Sequence, residues 1–173
     1  MLRIAPAPSV TAPRAGRRVP LLAAAAAVVL LALLVRQFVI TWYPVVSDSM
    51  APTVSTGSHV VVDKLGWRLG GLQHGDVVVL TSPADGTLLV KRVVGRAGDE
   101  VRIDDAILVV NDRPLEEPYV DHSRIDATYF GPVTVPADHV FVMGDNRFGS
   151  IDSRVFGPVP LPDVVGRVIT DLG

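Results

Sequence analysis

The chain has 173 residues, enough for one compact domain and a short additional segment. Its 16 Lys and Arg residues stand against 18 Asp and Glu residues, so it lacks the basic excess typical of nucleic-acid-binding proteins. Because it contains no cysteine, disulfides, cysteine-ligated metals and a thiol nucleophile are excluded.

The first predicted element is a flexible cytoplasmic tail over residues 1–18, which are rich in Pro, Ala and Ser and show no apolar periodicity. From Val19 to Val35 the chain carries no charge over 17 residues. This length is at the lower end for a membrane-spanning helix, and the apolar stretch from Phe38 to Tyr43 extends it. The run is therefore a candidate for membrane insertion.

Three interpretations of this apolar run differ in what they require. A cleaved secretory signal needs a pair of small residues just after the apolar core, and residues 35–39 offer none. A buried core helix is disfavoured because the run has no polar face. We therefore predict a signal-anchor transmembrane helix over residues 19–40. Arginines near its start place the N-terminus in the cytoplasm, so that residues 41–173 form a domain on the outer face of the cell membrane.

Beyond Pro44 the sequence changes to short runs of β-branched residues separated by Gly, Pro, Asp and Asn. No 3.6-residue period follows the apolar run. This pattern predicts a mostly β fold, an antiparallel β-sheet domain on a single N-terminal transmembrane helix. The predicted strands are residues 59–63, 76–80, 87–94, 100–103, 106–110, 132–135, 139–143 and 164–169.

Ser49 lies in a loop directly after the apolar run, flanked by Pro44 and Pro52. A serine in such a loop commonly caps a turn, and that is the simpler interpretation. A nucleophilic serine would need a base to take its proton. The sequence places no histidine well for that role.

Lys91 is a candidate for the missing base. The chain has only two lysines, Lys64 and Lys91, and uses arginine for its other basic residues. The period of a strand puts Lys91 on one face with Leu89 and Val93 and puts Arg92 on the other. An amine on an apolar face has a pKa lowered from about 10.4 toward neutrality, whereas arginine stays charged. The alternative is an ordinary strand lysine that faces solvent.

A third segment, Gly144–Arg154, is dense in polar residues although it lies between two apolar strands. It is either a solvated loop with Asp–Arg pairs or part of a site. A calcium loop is disfavoured because Asp145, Asn146 and Asp152 lack the EF-hand spacing and its terminal glutamate. We accordingly expect no metal and no cofactor.

Together these segments resemble the bacterial type I signal peptidases, the membrane-anchored Ser/Lys endopeptidases that remove signal peptides. The resemblance covers nearly the whole chain in the family's order. It rests on Ser47–Val54, the short motif Gly75–Val79, the lysine motif Val90–Asp99 and the last motif Gly144–Gly157.

The resemblance implies a role for each matching residue. Ser49 would be the nucleophile, Lys91 the general base, and the Ser49 N–H with the Ser47 hydroxyl would form the oxyanion hole. Ser150 would orient Lys91. Three further residues of the last motif would brace its loop without touching substrate, namely Asp145, Asp152 and Arg154.

The same resemblance implies cleavage after small residues of the Ala-x-Ala type. The implied partners are the signal peptides of exported pre-proteins, the lipid bilayer and the secretion translocon, and no nucleic acid. Alternative functions are a Ser/Lys peptidase with a narrow substrate or an inactive membrane module that binds signal peptides. Self-cleaving Ser/Lys repressors are disfavoured, because they need a DNA-binding domain and no anchor.

The chain departs from the family pattern at three places, the first of which is Val46, where the family commonly has Pro. Asp48 stands where the family usually has Gly, and Phe148-Gly149 replaces the usual Asp-Asn. A carboxylate at Asp48 that faced the dyad would stabilise a protonated Lys91 and oppose a developing oxyanion. We expect it instead to face water as a turn former.

Overall fold

The computed structural model describes residues 18–172; for residues 18, 19 and 36–38 it describes the backbone alone. Three helices occupy this part of the chain, namely α1 (Arg18–Phe38), α2 (Gly66–Gly70) and α3 (Ser153–Phe156), with a 3-10 turn at Leu161–Asp163. The strands up to the middle of the chain are β1 (Ile40–Pro44), β2 (His59–Asp63), β3 (Val77–Thr81), β4 (Leu88–Arg96), β5 (Glu100–Asp104) and β6 (Ile107–Val110). The remaining strands are β7 (Arg113–Pro114), β8 (Phe130–Thr134), β9 (His139–Met143), β10 (Val159–Pro160) and β11 (Val164–Leu172).

Helix α1 follows the predicted apolar run, and its described side chains from Pro20 to Val35 are all exposed. The helix ends at Phe38, before the predicted boundary at residue 40. Residues Ile40–Pro44 do not lengthen it, because they pair with β2 as strand β1, which suits their β-branched and aromatic side chains. The predicted tail lies outside the described residues except for Arg18. Within the described chain, no helix reaches the combined length and hydropathy needed to cross a membrane.

The chain divides into two compact units after Leu34. The second unit contains two sheets, one of seven strands in the order β1-β2-β11-β3-β4-β9-β10 and one of four in the order β7-β6-β5-β8. Every pairing in both sheets is antiparallel. The predicted mostly β, antiparallel class is therefore confirmed for this unit.

Strand β4 lies in the interior of the seven-stranded sheet, between β3 and β9. Its register places Lys91 opposite Val78 and Arg92 opposite both Val77 and Met143. The side chains of β4 are buried at four consecutive positions, from Lys91 to Val94, so this part of the strand is covered on both faces. The predicted lysine strand is thus a central element of the fold.

Buried β-branched side chains form most of the core. One cluster lines the centre of the seven-stranded sheet and includes Val78, Leu80, Val93, Val142 and Val164. A second joins the two sheets, because it contains residues of both, among them Val94, Val101, Ile103, Leu108 and Phe141. A third lies under the loop after β1 and contains Val45, Met50, Val54, Val60, Val62 and Val79.

Candidate active site

Met50, the residue after Ser49, anchors the loop that carries Ser49 to the core. The Met50 side chain is 1% exposed and belongs to the third core cluster, and the Ala51 N–H donates to the Asp48 carbonyl at 2.9 Å. Ser49 itself is half-buried, and its hydroxyl lies 3.2 Å from the hydroxyl of Ser47. The loop therefore keeps the two hydroxyls that the sequence singled out side by side at the surface of the sheet.

Lys91 is buried, with 2% of its surface exposed. Its Nζ donates a hydrogen bond to Ser150 Oγ at 3.2 Å. The prediction that this lysine lies on an apolar face agrees with its position beside Val93 and half-buried Leu89. The interpretation as an ordinary solvent-facing strand lysine is wrong, because the side chain is almost fully buried.

Burial lowers the pKa of Lys91 from 10.5 to about 8, because a charged amine loses its hydration in the core. Nearby charges act in both directions. The carboxylates of Asp152, Asp145 and Asp48 raise this pKa, and the guanidinium of Arg154 lowers it. With this pKa, about half of the amine is neutral at pH 8, and a neutral amine can accept a proton.

Gly144 is the point where the Ser49 loop meets the polar segment. The Asn146 N–H donates to the Ser49 carbonyl at 3.1 Å. A Cβ added at Gly144 would lie 2.5 Å from the same carbonyl oxygen and would also clash with the Ser150 hydroxyl. Glycine is therefore required here, since only a residue without a side chain lets the Ser49 backbone and Ser150 approach so closely. Ser150 in turn contacts Lys91, so the three predicted segments meet at one place.

Asp152 and Arg154 brace this loop from within. The fully buried Asp152 accepts hydrogen bonds from the Gly144 N–H at 3.0 Å and from Arg154 Nε and Nη2 at 2.9 Å each. Arg154 Nη2 also reaches the Ser150 carbonyl at 3.4 Å. Burial acts to raise the pKa of Asp152, but the hydrogen bonds and charge of Arg154 hold it below its usual value.

Asp145 forms a bidentate pair with Arg92, with distances of 2.8 Å to Nε and 2.6 Å to Nη2. Arg92 also donates to the Gly75 carbonyl at 2.8 Å and to Thr53 Oγ1 at 3.3 Å. This single guanidinium therefore joins the Ser49 loop, the Gly75 motif and the polar segment. Sequence reasoning missed Arg92, which it treated only as the residue opposite Lys91.

Other groups around the loop, some of them buried, were also missed. Arg147 pairs with Glu117, and the Asp126 carboxylate accepts the Gly149 N–H at 2.7 Å and a hydrogen bond from Arg154. Gly149 belongs to the Phe148-Gly149 pair that replaces the family's usual Asp-Asn. Its N–H is bound by Asp126, which lies 23 residues earlier in the chain. No local pattern signals these contacts, because their partners are separated by 23 to 30 residues.

Asp48 is exposed, as expected for a turn residue. Its carboxylate and its carbonyl lie 3.4 Å and 3.3 Å from Asn146 Nδ2. Among the described residues, no group of three or more His, Asp or Glu side chains is arranged to hold a metal ion.

Comparison with known proteins gives a consistent result. Residues 18–171 match the family described as "Signal peptidase, peptidase S26". The chain is 39% identical over 134 residues to signal peptidase I T of Bacillus subtilis (strain 168), covering 73% of this chain and 69% of the relative. It is 34% identical over 149 residues to a signal peptidase I of Leptolyngbya laminosa, covering 82% and 72%. A crystal structure of a signal peptidase I from Enterococcus faecalis V583 superposes with a TM-score of 0.50 at 32% identity, over 57% of this chain and 97% of that one.

Proposed function

The chain belongs to the signal peptidase family, peptidase S26, and on that premise we propose that it removes N-terminal signal peptides from exported pre-proteins with a Ser/Lys dyad. The observation that carries the dyad is the burial of the Lys91 amine against Ser150 Oγ, which lowers the pKa of the amine to about 8. At pH 8 a lysine in water, with a pKa of about 10.4, would be protonated and would not act as a base.

In the proposed reaction, neutral Lys91 takes the proton of Ser49 Oγ as that oxygen attacks the carbonyl carbon of the scissile bond. The developing oxyanion is stabilised by the Ser49 N–H and the Ser47 hydroxyl. Lys91 then protonates the leaving amine as the C–N bond breaks. Water hydrolyses the resulting ester to free Ser49, again with Lys91 as the base.

The positions of the supporting residues favour this scheme. Ser150 accepts from the Lys91 amine and contacts Gly144, against which the Ser49 carbonyl packs. It therefore orients the base as an aspartate orients histidine in other serine hydrolases. We assign the bracing of this arrangement to three further residues that touch no substrate, Asp145, Asp152 and Arg154.

We further propose that α1 is a signal-anchor in the lipid bilayer of the cell membrane, with the catalytic domain on the outer face. Its uncharged run and its exposed apolar side chains support this assignment. Membranes from expressing cells, washed with alkaline carbonate, test it: the protein should stay in the pellet, and external protease should digest residues 41–173. Release into the wash would refute the anchor. Cross-linking in such membranes should also capture the secretion translocon.

Purified protein and a precursor with an Ala-x-Ala site test the central proposal. We expect cleavage after the second Ala, and no cleavage by Ser49→Ala. Failure of the wild-type protein to cut such a precursor, while still binding it, would favour the inactive signal-peptide-binding module. A preference for a large residue immediately before the cut would favour the peptidase with a narrow substrate.

A further inference from the structure

A buried ion pair away from the proposed dyad connects the segment before β8 to the polar loop. Glu117 and Arg147 have side chains that are 1% and 3% exposed, and Arg147 Nη2 donates to Glu117 Oε1. The same guanidinium donates from Nε to the Gly144 carbonyl at 3.0 Å. The Arg147 guanidinium therefore links Glu117 to Gly144, the glycine against which both the Ser49 carbonyl and Ser150 pack.

Tyr119 makes a parallel connection to β4. Its ring lies against the guanidinium of Arg92, 3.8 Å from the ring centroid, and its hydroxyl donates to Glu117 Oε1 at 3.3 Å. Arg92 follows Lys91 in β4 and pairs with Asp145. The segment 117–119, which we name the strap, therefore contacts one cation on the lysine strand and one in the loop that carries Ser150.

The cost of burying charge indicates that this arrangement is not needed for stability alone. Two apolar side chains of similar volume stabilise a core as well as a buried ion pair does, because they avoid the desolvation of both ions. A guanidinium adds directional donors in a fixed plane. Here those donors join the Glu117 carboxylate to the Gly144 carbonyl, so that they set a position in the loop.

We propose that the strap is a positioning element: Glu117 through Arg147, and Tyr119 through Arg92, hold residues 144–150 against β4 so that the Ser150 hydroxyl meets the Lys91 amine. Its kinetic consequence rests on the proposed function. A loop without the strap would let water reach Lys91, and the contact that aligns the base would be lost.

The titration of Lys91 reports this position directly. The charges that act on it most strongly are those of Asp152, Arg154, Asp145 and Asp48, none of which belongs to the strap. Burial is the main cause of its low pKa, so that hydration after loosening would move the pKa back toward 10.5. Because the chain has only Lys64 and Lys91, ¹³C-lysine labelling gives two side-chain signals to follow by NMR.

The test replaces the pair by apolar residues, Glu117→Leu with Arg147→Met, in the full chain. We expect the double variant to fold, with a melting temperature lowered only by the loss of the Arg147 bond to the Gly144 carbonyl and of the Tyr119 bond to Glu117. We expect its kcat to fall about 10-fold or more with KM nearly unchanged, because misplacement of a catalytic group by about 1 Å costs up to 10²-fold. The Lys91 signal should titrate at higher pH. A folded double variant with wild-type kcat and wild-type Lys91 titration would overturn the proposal.

The control is Leu72→Ala, which creates a cavity in the core cluster at the centre of the seven-stranded sheet, a cluster to which the strap does not belong. It should lower the melting temperature and leave the Lys91 titration and kcat unchanged. If it shifts both as the double variant does, general loosening explains the result and the proposal fails.

Milder variants decide the matter if the double variant does not fold. Glu117→Gln keeps an acceptor for Arg147, and Tyr119→Phe removes only the hydroxyl bond to Glu117. Both should shift the Lys91 titration less than Glu117→Ala does, and a graded order among the three supports positioning. Equal titration in all three would refute it. Because the NMR readout needs no substrate, it tests the strap even if the wild-type protein fails to cut the precursor, which would refute only the proposed function.

Discussion

The two sheets of the second unit treat charge in opposite ways. In the four-stranded sheet, Arg102 lies at the surface among the exposed carboxylates of Glu100, Asp104 and Asp112. The side chains that this sheet buries, such as Val101 and Leu108, are apolar. Around β4 and the polar loop of the seven-stranded sheet, by contrast, lysine, arginines and aspartates are buried together. Since burying a charge is costly, this concentration of buried charge favours the proposed site in the seven-stranded sheet over any site in the four-stranded one.

The buried charges differ among themselves in their partners. Three arginines each contact a carboxylate, in the pairs Arg92–Asp145, Arg147–Glu117 and Arg154–Asp152. The hydrogen-bond partner of Lys91 is a hydroxyl, that of Ser150. A direct carboxylate partner would hold the lysine in its charged form. The carboxylates thus balance the charges of the arginines, to which we assign a positioning role. Lys91 has no such direct partner among these pairs, so its pKa stays low.

The largest effect that this contrast predicts is loss of activity without loss of fold. Ser49→Ala, Lys91→Ala and Lys91→Arg should each reduce kcat by about 10²–10⁴-fold or more, because the nucleophile or its base is lost and arginine does not deprotonate at working pH. Single-turnover cleavage of an Ala-x-Ala precursor measures this, with circular dichroism to confirm folding.

Lys64→Arg is the matched control, since it makes the same exchange at the chain's other lysine. It should be nearly silent. A Lys91→Arg variant that retained more than about a tenth of the wild-type rate would contradict the assignment of Lys91 as general base.

The next effect tests whether buried and surface charges differ in their contribution to stability. Asp152→Asn leaves the guanidinium of Arg154 with Asp126 as its remaining carboxylate partner and should cost up to about 3–5 kcal/mol in the free energy of unfolding. Arg102→Gln removes a surface cation among three carboxylates and should shift the urea midpoint far less. Equal losses in the two variants would remove the distinction between the sheets.

The sequence was sufficient for the fold class and for the regions that form the site. Strands β2 and β9 occur over their predicted ranges, and the other predicted strands differ mainly at their ends, because runs of β-branched residues indicate strands well. Strand β1 was missed because its residues are as apolar as the helix before them, and only the pairing with β2 distinguishes the two. The short strands β7 and β10 are too brief to show a pattern.

At the site, sequence motifs pointed to Ser49, Lys91 and Ser150, while the partners of the buried arginines were not predictable. Glu117 lies 30 residues before Arg147, and a glutamate next to a proline in a loop reads as an exposed residue. Its burial depends on the close approach of two loops, which no local pattern encodes. The catalytic roles themselves stay predictions until the variants above are measured.

A third effect concerns the stability cost of a buried, proton-accepting lysine. The pKa of Lys91 is near 10.5 in the unfolded chain and about 8 in the folded one. Between these values the unfolded state binds more protons, so that stability rises with pH across this window. Below about pH 8 the full cost applies, about 3 kcal/mol.

Lys91→Met should remove that cost. In urea titrations it should be more stable than the wild type at pH 7, by up to about 3 kcal/mol, and the difference should shrink as pH approaches 10.5. The dead variant would then be the more stable protein, as expected where function demands a buried charge. A Lys91→Met protein that is less stable at pH 7 would show that the amine is stabilising in place, and the contrast between the two sheets would lose its main example.

The smallest effect is expected at Asp48, which lies beside the proposed nucleophile yet is exposed like the charges of the four-stranded sheet. Its carboxylate raises the pKa of Lys91, but less than burial lowers it and less than Asp152 and Asp145 raise it. Solvent screens such a charge. Asp48→Asn should therefore shift the rising limb of the pH–rate profile to lower pH by only about a few tenths of a unit, and high salt should erase the difference.

Because Asn keeps the size of the side chain, the comparison separates charge from the flexibility that Asp48→Gly would add. If turnover instead rose about tenfold with a clear downward shift of the limb, the carboxylate would act on the dyad at an effective dielectric near that of a buried site. Asp48 would then belong with the buried charges of the seven-stranded sheet, and exposure alone would be an insufficient guide to which charges tune Lys91.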